Sequence, residues 1–277
     1  MTTGGQTRAD LLAEPDRLWA QRADPKLRII DTRSAAAYDD GHIPGAVALG
    51  AHAWLKAAAD PLQIAGVEEL AALMGRLGVD AGSTVVAYSD NNGLTAARLW
   101  WVLRSYGHHD AKVLNGGWER WINEGRPTST ERATPGPTRF VPRLDPRAVC
   151  GLDELRGRLA DPSLQVLDVR ADGEWTGDAN PHANARVGHI PGARHLEWTA
   201  LIDPARGGVF RSDEEIRERL AEVGIGPGEV VTHCQAAIRA AHTAFALTLA
   251  GWSAVRVYDG SMAEWSQHDD APLVVGT

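Results

Sequence analysis

One phrase is written twice in this chain, and that repetition restricts the fold more than any other feature. Ile30-Asp31-Thr32-Arg33, followed by Tyr38 and Gly41-His42-Ile43-Pro44-Gly45-Ala46, returns as Leu167-Asp168-Val169-Arg170, Trp175 and Gly188-His189-Ile190-Pro191-Gly192-Ala193. An identical hexapeptide beside a repeated Asp-x-Arg marks an internal duplication, and each copy then needs a core of its own. The chain is long enough for that: 277 residues, 44% hydrophobic, supply two domains of ordinary size. Further on, Val85-Val86-Ala87-Tyr88-Ser89-Asp90 is answered by Val230-Val231-Thr232-His233-Cys234. This alignment sets Asp90 opposite Cys234, so one half is expected to carry chemistry and the other to be its silent duplicate.

Between the copies, from Arg126 through Pro127, Pro135, Gly136 and Pro137 to about Pro146, proline, glycine and hydroxyl residues run without periodicity. That composition predicts an extended linker. The expected organisation is a silent domain over 8–126, a linker over 127–145 and a catalytic domain over 146–277. Within each half, short β-branched runs such as 84–88 and 229–232 alternate with helical patterns such as 95–106 and 238–250. Short apolar strands alternating with helices predict an α/β fold, each half a small parallel sheet flanked by helices.

The formal charge of -8, from 28 basic and 36 acidic residues, disfavours nucleic acid or an anionic membrane as partner. It leaves a small anionic substrate open, because a local field can oppose the global one. Two cysteines, Cys150 and Cys234, make no disulfide framework. The stretch from Met1 to Ala20 lacks an apolar h-region, and no run approaches the roughly 20 apolar residues of a membrane span. A soluble, cytoplasmic protein is expected, a monomer or weak homo-oligomer.

Ligands of such sheets bind beyond the carboxyl ends of the strands. Cys234 follows the run 229–233, and the helical pattern resumes near Arg239. Strand, tight loop and helix N-terminus bring successive N–H groups inward as an anion nest, a setting that favours a thiolate. Arg239 adds a fixed positive charge. The alternative is a small buried hydrophobe at a strand end, since free cysteine is often buried. No histidine and cysteine cluster has metal-ligand spacing. His42, His189 and the Asp-x-Arg pairs recur in both halves and are read as structural, while His233 is read as packed beneath the sheet. Trp118, Trp121 and Trp265 are expected in the core.

The chain resembles the tandem-domain rhodaneses, the thiosulfate and 3-mercaptopyruvate sulfurtransferases, over nearly its whole length. Tyr38-x-x-x-His42-Ile43-Pro44-Gly45-Ala46-x-x-Leu49 is similar to one signature of that family. Val255-x-x-Tyr258-Asp259-Gly260-Ser261-Met262-Ala263-Glu264-Trp265 resembles the other, with Met262 where an aromatic is usual. The resemblance implies a first domain without its cysteine and a persulfide on Cys234. It also implies a six-residue loop, Cys234-Gln235-Ala236-Ala237-Ile238-Arg239, whose Cys-x4-Arg spacing is one residue shorter than the phosphatase Cys-x5-Arg loop. Ala237 departs from a glycine found in many members.

Thiosulfate-using members carry an arginine where Glu174 stands here, and Arg186 is taken as its substitute. The implied reaction is a double displacement without a cofactor: Cys234 takes sulfane sulfur from thiosulfate and passes it to cyanide or a thiol. Arg239, Arg186, Gln235, Ala236, Ala237 and Ile238 would bind the donor. A 3-mercaptopyruvate sulfurtransferase and a low-turnover sulfur carrier are the alternatives. Asp90 is expected to accept N–H groups of its own loop.

Overall fold

The computed structural model describes residues 6–50 and 55–276. The chain divides into two compact units, one of Met1–Asp145 with Asp203–Phe210, the other of Pro146–Ile202 with Arg211–Thr277. In the first, β1 (Leu12–Ala13), β2 (Leu27–Asp31), β3 (Val47–Ala48), β4 (Thr84–Tyr88) and β5 (Ala111–Leu114) form one sheet in the order β1-β5-β4-β2-β3. In the second, β6 (Val149–Cys150), β7 (Leu164–Asp168), β8 (Arg194–His195), β11 (Glu229–His233) and β12 (Val255–Tyr258) take the order β6-β12-β11-β7-β8. Two further short strands, β9 (Ile202–Asp203) and β10 (Val209–Phe210), stand outside these sheets. Every pairing within the two five-stranded sheets is parallel, so the duplicated sequence has folded into duplicated α/β topology.

The repeated phrase explains itself as a fastening. Asp31 and Asp168 end the strands β2 and β7, and each binds the arginine two residues on at 2.6 Å. Arg33 also donates to the carbonyl of Gly41 and Arg170 to that of Gly188, at 2.7 and 2.8 Å. Strand end and GHIPGA turn are thereby locked by a buried ion pair with added carbonyl partners, as burial of charge requires. His42 donates through Nδ1 to the Tyr38 carbonyl and stacks on that ring. His189 does the same with Trp175. Both histidines are structural, as their recurrence suggested.

Trp121 and Trp265 are fully buried, and their indole N–H groups donate to the carbonyls of Pro127 and Pro272, 2.9 Å away in each case. The polar handle of a buried indole thus finds its partner. Trp118 is only partly buried; it packs against the first core and carries the Arg33 guanidinium on its face. The stretch over 127–145 is strapped to the first unit rather than strung free. Ser129 pairs with His42 through two backbone hydrogen bonds, Thr138 donates to Gly75, and Asp145 donates to Ser105. Proline and glycine made it irregular, but its backbone groups still had to find partners.

Candidate active site

Strand β11 delivers Cys234 at its carboxyl end, and the helix Ile238–Leu249 begins four residues later. Cys234 is 1% exposed. Its amide donates to Ser261 Oγ at 3.2 Å, while that hydroxyl donates to the Tyr258 carbonyl at 2.8 Å. The carbonyls of Cys234 and Gln235 accept the amides of Met262 and Ala263. The loop is therefore bolted to the short helix Ser261–Trp265, which ends the segment over 255–265. Ala236 is half-buried, Ala237 and Ile238 are buried, and Ala237 takes the left-handed conformation with φ of 64°. For an alanine that conformation costs roughly 1–2 kcal/mol, so the departure from glycine is a real local strain.

Arg239 turns back toward the loop and meets Glu174. Its two terminal nitrogens donate to the two carboxylate oxygens at 2.7 and 2.9 Å, a bidentate pair with the carboxylate side chain 7% exposed. Burial works against the guanidinium charge, but the Glu174 carboxylate and the Cys234 sulfur outweigh it and raise the Arg239 pKa. Burial likewise pushes the Glu174 carboxyl up, and Arg239 more than reverses this, holding it below the ordinary carboxylate range. The positive charge expected to stand free is thus matched by a carboxylate. His182 Nε2 lies 3.7 Å from Glu174, and Asn184 and Gln235 exchange two amide hydrogen bonds at 2.7 and 3.0 Å. The segment over 177–187 therefore edges the site.

Arg186 is placed differently from the expectation. Its guanidinium donates to the carbonyls of Ser266, Trp265 and His268, which secures the turn after the helix Ser261–Trp265. A fork already holding three carbonyls is a fastening of the fold, and it is not brought to Cys234 by any of these contacts.

His233 is fully buried, in register with Asp168, with its Nε2 at 3.7 Å from that carboxylate. Burial depresses its pKa to about 4, the Asp168 charge only partly opposing this, so the ring is neutral and no base for the thiol. Neither ring nitrogen finds a hydrogen-bond partner among the described residues. Cys150 is also buried, and burial, followed by the Glu154 charge, pushes its thiol up to about 12. It is a poor nucleophile at neutral pH.

The first half corrects the alignment. His233 pairs with Asp168 as Tyr88 pairs with Asp31, and Met262 N–H donates to Cys234 as Trp118 N–H donates to Ser89. Seen from the strand, Ser89 rather than Asp90 occupies the place of Cys234, and Tyr88 rather than Ser89 matches His233. Gly93 still matches Ala237 as the left-handed residue that opens the helix. The first loop is therefore one residue longer, and Asn91, Asn92 and Gly93 absorb the extra residue with φ of 51°, 58° and 80°. Asp90 is exposed and makes no side-chain cap hydrogen bond, contrary to the expectation that it would fasten its loop.

Glu174, Asn184 and Ser261 were not foreseen as site residues. Glu174 was visible as a departure, but its partner lies 65 residues away. Among the described residues no group of three or more His, Cys, Asp or Glu is arranged to hold a metal, and no helix is long and apolar enough to cross a membrane. An open cleft lined by Leu164, Gln165, Arg194 and Gly228 lies at the amino ends of β7 and β11, opposite the end that carries Cys234.

Known proteins resemble this chain in sequence and fold. The sulfur carrier protein TtuD of Thermus thermophilus is 33% identical over 98% of this chain and 99% of its own. A thiosulfate sulfurtransferase of Pseudomonas aeruginosa is 37% identical over 96% and 97%. The human 3-mercaptopyruvate sulfurtransferase is 31% identical over 90% and 88%. Among solved structures, the anaerobic ergothioneine biosynthesis enzyme of Chlorobium limicola superposes with a TM-score of 0.82 at 27% identity. That match covers 91% of this chain but only 65% of the enzyme's length. The profile of the rhodanese-like domain matches residues 14–124 and again 151–268, and the chain belongs to the rhodanese-like domain family as a tandem pair.

Proposed function

We propose that this chain is a cytoplasmic sulfurtransferase working through a persulfide on Cys234. The observation that carries the reading is the loop itself: the cysteine is held at the mouth of a helix, hydrogen-bonded to Ser261, with Arg239 as its neighbouring cation. The Cys234 thiolate attacks the outer sulfur of thiosulfate, the S–S bond to the sulfonate breaks, and sulfite leaves with the bonding pair. The terminal persulfide sulfur is then attacked by cyanide or a thiolate, and Cys234 departs as a thiolate, ready for the next cycle. Covalent catalysis divides the transfer into two displacements. The loop N–H groups and Arg239 stabilise the anionic sulfur in both.

In this reading Gln235, Ala236, Ala237 and Ile238 shape the cradle, Arg239 faces the donor, and Arg186 serves the fold. The names of the relatives support thiosulfate as the donor. The Glu174 carboxylate on Arg239 favours a second reading, a donor of the 3-mercaptopyruvate type, because it removes charge that a dianion would use. Comparing kcat/KM for the two donors, with cyanide as acceptor, decides between them. A pure carrier would release one equivalent of thiocyanate per chain, an enzyme many.

A further inference from the structure

We infer that Glu174 is a specificity-determining residue that sets the charge of the donor, turning the Cys234 site away from dianions and toward a sulfur donor bearing at most one negative charge. The inference rests on the proposed function and deepens it. Three observations carry it.

The first is the occupied fork. A guanidinium recognises a tetrahedral oxyanion best by presenting two parallel N–H groups, and both terminal nitrogens of Arg239 are already engaged by the two oxygens of Glu174. A sulfonate arriving at Arg239 has either to displace that carboxylate or to bind beside it, and like charges brought together in a partly desolvated site repel strongly.

The second is that Glu174 is not free to leave. It belongs to the short helix Asp172–Thr176 and accepts the Ala171 N–H at 3.3 Å, which closes the first turn of that helix. The side chain is 7% exposed, and water is a poor alternative partner for it there.

The third is the edge of the site. Around this pair the segment over 177–187 supplies the half-exposed His182, 3.7 Å from Glu174, and Asn184, whose amide is committed to Gln235. Asn184 and Gln235 are neutral, and no second arginine is brought in by Arg186, which is bound to carbonyls. An organic persulfide R–S–SH, or the thiol of a 2-oxo acid whose single carboxylate lies away from the reacting sulfur, fits this field. It needs only the loop N–H groups at the sulfur.

The test uses the full chain and two donors, thiosulfate and 3-mercaptopyruvate, with cyanide as acceptor. Glu174→Gln keeps the size of the side chain and an oxygen for the Ala171 N–H but removes the charge. It is expected to raise kcat/KM for thiosulfate about tenfold, chiefly through KM, while changing that for 3-mercaptopyruvate less than about threefold. Glu174→Asp, which keeps the charge, is expected to retain the donor ratio of the wild type. A merely structural role would lower both donors together and would not produce a gain. An unchanged ratio in Glu174→Gln, with Cys234 still loaded by sulfur, overturns the inference and leaves the proposed function standing. Failure of the wild type to acquire sulfur from either donor overturns both.

Discussion

At the scale of single residues the account turns on how two buried charges and a buried imidazole are balanced. Arg239 and Glu174 neutralise each other, so Arg239→Ala strands a carboxylate in a site with little water. That variant is predicted to lose turnover and also about 2–4 kcal/mol of stability, as broken buried pairs do. Adding Glu174→Gln should restore most of the melting temperature but not the activity, and thermal denaturation of the two variants checks this. His233 gives a pH dependence of definite sign. Its pKa of about 4 in the fold lies below the ordinary value near 6.5, so the unfolded chain binds the extra proton first. Its contribution to stability is full above about pH 6.5 and is lost progressively as pH falls toward 4. His233→Asn is predicted to have a shallower fall of melting temperature over that window. The Cys234-to-Arg239 loop and the departure from glycine at Ala237 were legible in the sequence from loop spacing and family resemblance. The Glu174–Arg239 pair was not, because two charges on separate elements reveal no partner until the sheet brings them together.

At the scale of elements, the repeat made strands, helices and their parallel order readable, since each apolar run has a counterpart that answers it. What escaped was registry within loops. The one-residue expansion between Ser89 and Gly93 leaves both flanking elements intact, so an alignment anchored on the helix gives Asp90 opposite Cys234 and one anchored on the strand gives Ser89. Hydrogen bonds settle the strand side. The same bonds make the helix Ser261–Trp265 the floor of the reactive loop, through Ser261 Oγ and the amides of Met262 and Ala263. Ser261→Ala removes the side-chain acceptor from the Cys234 amide and is predicted to cost about 1 kcal/mol of stability. It is also predicted to lower kcat by roughly tenfold, because the loop that must hold its N–H groups toward the developing charge on sulfur loses this brace. Steady-state kinetics beside a denaturant titration would show whether the two effects occur together.

At the scale of the whole molecule, duplication explains why the described residues carry two five-stranded sheets, two Asp-x-Arg fastenings and the matched buried indoles of Trp121 and Trp265, yet a single thiol at a strand-to-helix loop. We propose on that ground that the first half takes no part in sulfur transfer. Because Asp90 is exposed and caps nothing, Asp90→Ala is predicted to leave both melting temperature and sulfur transfer within error of the wild type. The irregular segment over 127–145 was readable as a connection but not as a strap, since backbone partners chosen by an extended chain leave no periodic signal. The central claim, that sulfur is carried on Cys234, is tested most directly by the intact mass of the protein after exposure to a sulfur donor. The wild type and Cys150→Ser should each gain one sulfur atom and lose it to cyanide with formation of thiocyanate, while Cys234→Ser gains none. Sulfur retained by Cys234→Ser, or absent from Cys150→Ser alone, would contradict the account.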